Sequence, residues 1–275
     1  RHDEHCSRDQ SGPQGGRFSD LLMNLSSYWV DLHLHTVLSP CAELEMGAPE
    51  IVSAYRGAGV SLCAVTDHND IANAPAIREA AEGDPAVLTG MEIQTAEDIH
   101  VVVIFPDDES AVEYRRWLWL SLPDRENDPS IFGYQLVIDH ENNIMSERDT
   151  LLVQGVGYSV DEVASEACRM GAVVIPAHLD RPSFSYESVL GRVPDDFPCH
   201  ALELSPAVSH SAFAEWRERY PDRVFVRSSD AHRLSEISRD RCTVMRLAAP
   251  SFGEVRMALG GMEGRSVLNP WTWSP

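Results

Sequence analysis

The sequence predicts an α/β protein with a parallel sheet and helices outside it, and three observations carry that reading. Short apolar runs of strand type alternate with amphipathic segments: WVDLHL then PEIVSAYRGAG, SLCAVT then ANAPAIREAAEG. Two of the helical segments close on glycine (RGAG, CRMG), where a left-handed residue ends a helix, and Pro49 stands where a first helical turn tolerates proline. The 275 residues are 43% hydrophobic and 24% charged, an ordinary composition for a folded domain long enough to bury a core. Repeated strand-helix alternation implies either an open doubly wound sheet or a closed barrel, and composition does not choose between them.

In chain order, residues 1–16 (RHDEHCSRDQSGPQGG) are polar and aperiodic, and read as a disordered tail. Residues 17–275 then form a single domain. After the first two strand-helix pairs come VLTG and IHVVVIF, followed by SAVEYRRWLWL. The remaining segments are VDEVASEACRMG, VVIPA, HALELS, AFAEWRERY, VFVRSS, and finally TVMRLA with FGEVRMALG. Seven or eight strands result. Residues 123–159 break the rhythm: the stretch is too long for an ordinary connection, its FGYQLVIDHENNIM reads as a small hairpin, and it is a candidate lid.

Charge narrows the function. The 22 cations against 43 acids give −21, and all 22 are arginine. The absence of lysine excludes Schiff-base, pyridoxal-phosphate, phosphate-loop and kinase chemistry that needs a primary amine. An acidic surface repels phosphate backbones, so the expected partner is a small-molecule phosphoester and not extended nucleic acid, unless metals supply positive charge. The six cysteines show no paired short spacing and read as reduced thiols. With no apolar run long enough for a signal or a membrane span, the expectation is a cytoplasmic protein without a membrane partner.

The chemistry lies in the placement of the histidines. His33 and His35 end the first strand run, and residues two apart on a strand face the same side, so two imidazoles can reach one ion. Asp67 and His68 end the second run, Glu92 follows the third, His178 follows VVIPA, and Asp230 with His232 follow VFVRSS. His100 is the exception, since it begins its strand. A parallel α/β sheet gathers its site at the carboxyl ends of its strands, so these groups converge although far apart in sequence. Imidazole with carboxylate is a donor set for two or three divalent transition metal ions, Zn, Mn or Fe, and is too nitrogen-rich for Mg or Ca.

The order His33-x-His35, Thr-Asp67-His68, Gly-Met-Glu92, His100, Pro-Ala-His178 and Ser-Asp230-Ala-His232 resembles the motif series of the PHP (polymerase and histidinol phosphatase) family of metal-dependent phosphoesterases, over roughly residues 30–232. The resemblance implies a distorted (β/α)7 barrel, with the 123–159 insertion after its fourth βα unit, and a centre of two or three metals. It further implies a first ion on His33, His35, Glu92 and Asp230, and a second shared by Glu92 with His100 and His178. A third would rest on His68, His232 and the residue eight after the first histidine, here Cys41 where His or Asp is common. A thiolate there would favour zinc or iron.

Paired ions can share a hydroxide and direct it at phosphorus, so the expected nucleophile is water. Arg181, in HLDRPSF after His178, is the candidate clamp for phosphoryl oxygens, and Asp180 or a metal-bound water the candidate proton donor to the leaving group. Asp67 is either a ligand or, in the favoured reading, an orienter of a histidine. The expected function is hydrolysis of a phosphate ester of a nucleotide or phosphorylated metabolite. The alternatives are an exonuclease on short oligonucleotides or nucleoside bisphosphates, and a noncatalytic metal-binding regulatory domain. His140 and His210 read as surface residues, Cys63 and Cys168 as small core groups, and RRWLWL (115–120) as a packing face.

Overall fold

The computed structural model describes residues 24–268 and 271, so the tail reading for 1–16, with His2, His5 and Cys6, lies outside the described residues. The first half runs β1 (Ser26–Asp31), α1 (Ala48–Ala58), β2 (Leu62–Val65), α2 (Ala74–Ala81), β3 (Ala86–Gln94), β4 (His100–Ile104) and α3 (Asp108–Leu118). A hairpin of β5 (Leu136–Ile138) and β6 (Ile144–Glu147) follows. The second half is α4 (Val160–Arg169), β7 (Val173–Pro176), α5 (Tyr186–Val189), β8 (Leu202–Leu204), α6 (His210–Arg219), β9 (Phe225–Arg227), β10 (Thr243–Leu247), α7 (Phe252–Leu259) and β11 (Ser266–Leu268).

One curled sheet of seven strands, in the order β11-β10-β1-β2-β3-β4-β7, carries the architecture. β1, β2 and β3 are parallel, whereas β4 runs antiparallel to both β3 and β7, and β10 antiparallel to β1. The parallel pair β8-β9 lies between β7 and the continuation of β1. On one side His200 N–H donates to Val174 O (2.8 Å) and Leu179 N–H to Glu203 O (2.9 Å); on the other Asp230 N–H donates to His33 O (3.0 Å) and His35 N–H to Ala231 O (3.1 Å).

The expected unbroken parallel βα repeat is therefore corrected at β4 and at the β10-β11 edge, where strands run antiparallel to their neighbours and no α-helix separates β3 from β4 or β9 from β10. Only residues 95–99 separate β3 from β4, too few for a crossover helix, and Thr95 N–H donates to Ile99 O (2.9 Å) across the turn. A connection that short can only join antiparallel neighbours. Gly90 is needed in β3 because a Cβ there would lie 2.9 Å from Val103 O and 2.8 Å from Thr66 Cγ2.

The helices cover the outside for the reasons their sequences suggest. α1 buries Ala48, Ile51, Val52 and Tyr55, the i, i+3, i+4, i+7 stripe, and ends at Gly59 in the left-handed conformation (φ 66°). α4 opens on a reciprocal cap between Ser159 and Glu162. β4 and β7 are buried along their whole length, and each aliphatic side chain there contributes about 1.5–3 kcal/mol relative to exposure.

The 123–159 segment does contain the expected hairpin, and it is fastened to the rim beside β1 and β2. Leu136 N–H donates to Val37 O (2.9 Å), Asn73 binds the hairpin at Leu136 O (2.9 Å) and Ile138 N–H (3.0 Å), and Asn69 donates to Leu152 O (2.8 Å) and Gln154 O (2.9 Å). Among the described residues no helix is long and apolar enough to cross a membrane.

Candidate metal centre

The ends of β1, β2, β3, β7 and β9 open on the same side of the sheet, and each delivers a donor. β1 continues into His33 and His35, β2 into Asp67 and His68, β3 holds Glu92, β7 continues into His178, and β9 into Asp230 and His232. The reversal of β4 explains the odd histidine. A strand running the other way presents its first residue where its neighbours present their last, and His100 pairs with Gln94 near the end of β3.

Glu92 is the hub. One oxygen lies 2.8 Å from His100 Nδ1, 3.3 Å from His33 Nε2 and 3.3 Å from His178 Nε2; the other lies 3.2 Å from His35 Nε2 and 3.1 Å from His68 Nδ1. Asp230 Oδ1 sits 3.3 Å from His33 Nε2 and 3.2 Å from His35 Nε2. Three overlapping groups have all their donor atoms within 4.8 Å: His33, His35, Glu92 and Asp230; His68, Glu92 and His100; and His35, His68 and His232. The first is the set implied for a first ion. In the second, His68 stands with Glu92 and His100 where His178 was expected; His178 is outside the three groups, its Nε2 3.3 Å from Glu92, and in the third His35 stands where Cys41 was expected.

Cys41 is not in these groups, and the residue is exposed. Although the residue has an exposed face, its thiol lies close enough to Glu92 and Asp230 that desolvation and their carboxylates push its pKa up in the metal-free protein.

The donors fit transition metal ions. His33, His35, His68, Glu92, His178 and Asp230 are buried, yet among the described residues His100 Nε2 and His178 Nδ1 have no hydrogen-bond partner, and His68 Nδ1 and Asp230 Oδ1 have close charged neighbours without hydrogen-bond geometry. His33 Nε2 and His35 Nε2 face each other at 3.2 Å, a contact in which two neutral lone pairs repel. Buried polar atoms without partners cost about 1–3 kcal/mol each, and a cation among them removes that cost.

Electrostatics without ions show the same incompleteness. Burial opposes protonation of His33, but the Asp230, Glu203 and Glu92 carboxylates outweigh it and hold its pKa well above the usual value. His35 behaves alike and is raised to about 9. Burial then lowers His68 well below the ordinary value, helped by charged His35, and takes His232 down to about 4. Protons thus stand in for cations beside the two acids.

Residues that the sequence reading missed hold the donors in place. Glu203, on β8, accepts from His33 Nδ1 (3.1 Å) and from His178 N–H (3.1 Å). A buried acid between leucines in HALELS was the available signal, since such a charge needs a partner. Ser39 lies 2.9 Å from His35 Nδ1 and donates to Asp67 at 2.7 Å, and Asp67 also accepts from Thr36 N–H (2.7 Å) and Thr36 Oγ1 (2.8 Å). Asp67 therefore stands one hydroxyl away from His35. His178 (φ 30°) and Asp230 (φ 47°) occupy the left-handed region, a strain of about 1–3 kcal/mol apiece that the surrounding bonds must hold.

Arg181 reaches the centre, its guanidinium 2.5 Å from Asp230 Oδ2 while its side chain remains 41% exposed. Asp180 is in none of the three donor groups, and its oxygens accept from Ser205 N–H (2.7 Å) and Ser205 Oγ (2.5 Å). His140 pairs with Glu79 at 3.4 Å, His210 bonds Trp271 O at 2.6 Å, and His200 accepts from Val174 N–H at 3.1 Å, all outside the three groups. In RRWLWL, Arg115 and Trp119 face the loop after β2: Arg115 pairs with Asp70 (2.5 Å) and lies 3.7 Å over the Trp119 ring, whose Nε1 donates to Asn69 O (2.6 Å).

No family model and no curated protein matches the chain by sequence. Solved structures do. Endonuclease Q from Pyrococcus furiosus superposes with a TM-score of 0.63 at 18% identity over 88% of this chain, and the chain spans 58% of that protein's length. A complex of endonuclease Q with a 27-mer duplex carrying an abasic lesion at its active site gives 0.62 at 17% identity, over 88% of this chain and 58% of that one. A protein from Bifidobacterium adolescentis proposed to be a metal-dependent phosphoesterase gives 0.51 at 19% identity, over 74% of this chain and 87% of the other. A two-domain protein from Bacteroides vulgatus, proposed to contain a PHP-like metal-dependent phosphoesterase, gives 0.50 at 15% identity, over 89% of this chain and 65% of that one.

These structures correct the partner expectation. One with the same fold holds a 27-mer duplex, so the fold does not confine its substrates to small molecules, and the exclusion of extended nucleic acid does not stand. Net charge averages the whole surface, whereas binding responds to the local field at a mouth where arginine and metal ions concentrate positive charge. The seven-stranded curled sheet, with its donors gathered at one end, has the fold of the PHP-like metal-dependent phosphoesterases, the family that the motif series resembles.

Proposed function

We propose that the chain is a metal-dependent hydrolase of phosphate esters. The observation that carries this is the set of three overlapping donor groups sharing Glu92, His35 and His68 at one buried mouth. The donor set suits two or three Zn, Mn or Fe ions. When bound, such ions lower the pKa of water towards 7 and hold phosphoryl oxygens for in-line attack.

The protein's own groups then have distinct tasks. His33, His35, His68, Glu92, His100, His178, Asp230 and His232 are the residues that would hold the ions. Glu203 and Ser39 fix the rings of His33 and His35 through their other nitrogens, which sets which nitrogen is free to ligate. Arg181 grips phosphoryl oxygens from the rim, having its fork already over Asp230. Asp180 commits its oxygens to Ser205 and so shapes the Arg181 loop without delivering a proton. Residues 123–159 form part of the mouth's rim and bias substrate choice. A cytoplasmic setting, read from the reduced thiols, belongs to the same proposal.

The substrate is a nucleotide, a phosphorylated metabolite or a nucleic-acid strand, the last favoured by the duplex-bound neighbour. Protein loaded with Mn or Zn is assayed on p-nitrophenyl phosphate, nucleotides, an oligonucleotide and an abasic duplex. Turnover that His178→Ala abolishes supports the enzyme, and Arg181→Ala is expected to raise KM. A metal-loaded protein inert on every ester would instead be a noncatalytic metal-binding domain. Affinity that falls steeply with salt identifies a strand as substrate.

A further inference from the structure

Phe184 lies in the loop between β7 and α5, three residues after Arg181, and the chemistry above does not use it. Its ring stacks on the His100 imidazole, centroids 4.8 Å apart and planes at 26°, yet the residue is 42% exposed. One face thus covers a metal-ligand candidate, while much of the ring remains open. Its backbone is left-handed at φ 57°, a conformation that a bulky side chain adopts only under constraint. The constraint is visible: Phe184 O accepts from His100 N–H at 2.9 Å, and Ser185 Oγ donates to Arg181 O at 2.8 Å.

Here the loop is held in a strained form that keeps the ring half open at the centre's edge. Residues 178–184 accordingly bring a metal-ligand candidate, a guanidinium on Asp230 and an open aromatic surface to one mouth. A phosphoryl group gripped there has a flat apolar surface beside it, the complement of a planar ring joined to phosphate.

We infer that Phe184 is a specificity-determining residue that stacks a nucleobase or aryl ring of the substrate next to the scissile ester. This rests on the phosphoesterase reading and narrows it to ring-bearing esters. Stacking tolerates any base, so the surface selects nucleotides as a class, and a free nucleotide and a base in a strand offer it the same chemistry.

The test compares Phe184→Ala and Phe184→Tyr with the wild type, as full-length metal-loaded protein with metal content measured. Substrates are the p-nitrophenyl ester of thymidine 5′-phosphate, a mononucleotide, a short oligonucleotide and ringless glycerol phosphate. Phe184→Ala should raise the ratio of KM for ring-bearing to ringless esters by about tenfold or more, and Phe184→Tyr should restore it. A larger effect on the oligonucleotide assigns the ring to a strand, and a larger effect on the mononucleotide assigns it to a free nucleotide. An unchanged KM ratio, or lost metal content with equal losses on all esters, would mean that the ring only steadies His100, and the inference would fall. Calorimetric binding of adenosine monophosphate separates the two readings. Phe184-dependent binding without turnover of any ester defeats the hydrolase and keeps the stacking surface, whereas turnover indifferent to Phe184 does the reverse.

Discussion

Two sets of buried acids lie at or beyond the same strand ends and are treated in opposite ways. In the collar around the mouth, carboxylates are satisfied by protein. Asp67 takes Thr36 and Ser39, Asp31 takes Ser229 N–H (2.9 Å) and Tyr55 Oη (3.0 Å), and Asp70 takes Ile71 N–H (2.7 Å), Arg115 (2.5 Å) and Arg148 (2.7 Å). In the pocket itself, Glu92 and Asp230 face imidazoles, and several ring and carboxylate atoms have no hydrogen-bond partner. The collar is finished as protein; the pocket offers donors that the proposed function fills with cations. The difference teaches where stability and function reside, and each can be disturbed without the other.

The largest effect should follow removal of a pocket acid. Asp230→Ala is expected to lower kcat by about a thousandfold, since several kcal/mol of charge stabilisation go with it at about 1.4 kcal/mol per decade, while the melting temperature changes little. Kinetics paired with calorimetry check this, and a variant that unfolds while keeping its activity per folded molecule would erase the distinction. A collar acid should do the opposite. Asp70→Ala leaves Arg115 and Arg148 without their shared partner and should cost about 3–5 kcal/mol in urea unfolding, with metal content per folded molecule retained.

Glu203 tests the boundary, because it belongs to the collar yet touches two ligand candidates. Glu203→Ala should weaken metal affinity by about 10- to 100-fold, measured by competition with a chelator. The smallest effect concerns pH. His35 in the metal-free protein is raised above its unfolded value of 6.5 to about 9. Its protonation therefore stabilises the metal-free fold fully below about pH 6.5, and that contribution is lost as pH rises to about 9. Metal-stripped protein should melt progressively lower across this window, and metal-loaded protein should not, since the ion has replaced the proton. Parallel melting curves in both forms would show that the ions do not take over from the protons.

Strand-helix alternation, the glycine stops at Gly59 and Gly171 and the hairpin in 123–159 were legible because each is a local property of a few neighbouring residues. The donor list was legible too: His33, His35, Glu92 and Asp230 follow from strand ends and spacing, and the structure brings them within 4.8 Å. What periodicity does not encode is strand direction. The reversal of β4 was missed, and with it the reason that His100, alone at a strand's beginning, belongs with the others. Glu203 and Ser39 were missed because a supporting residue has no motif of its own; it is defined only by what reaches it across the fold. Sequence by itself determined which side chains can bind a cation, since donor chemistry belongs to each residue. Only the tertiary structure decided which of them meet, that Cys41 does not, and that Phe184 stands open at the mouth, because those facts depend on chain reversal and closure over long separations.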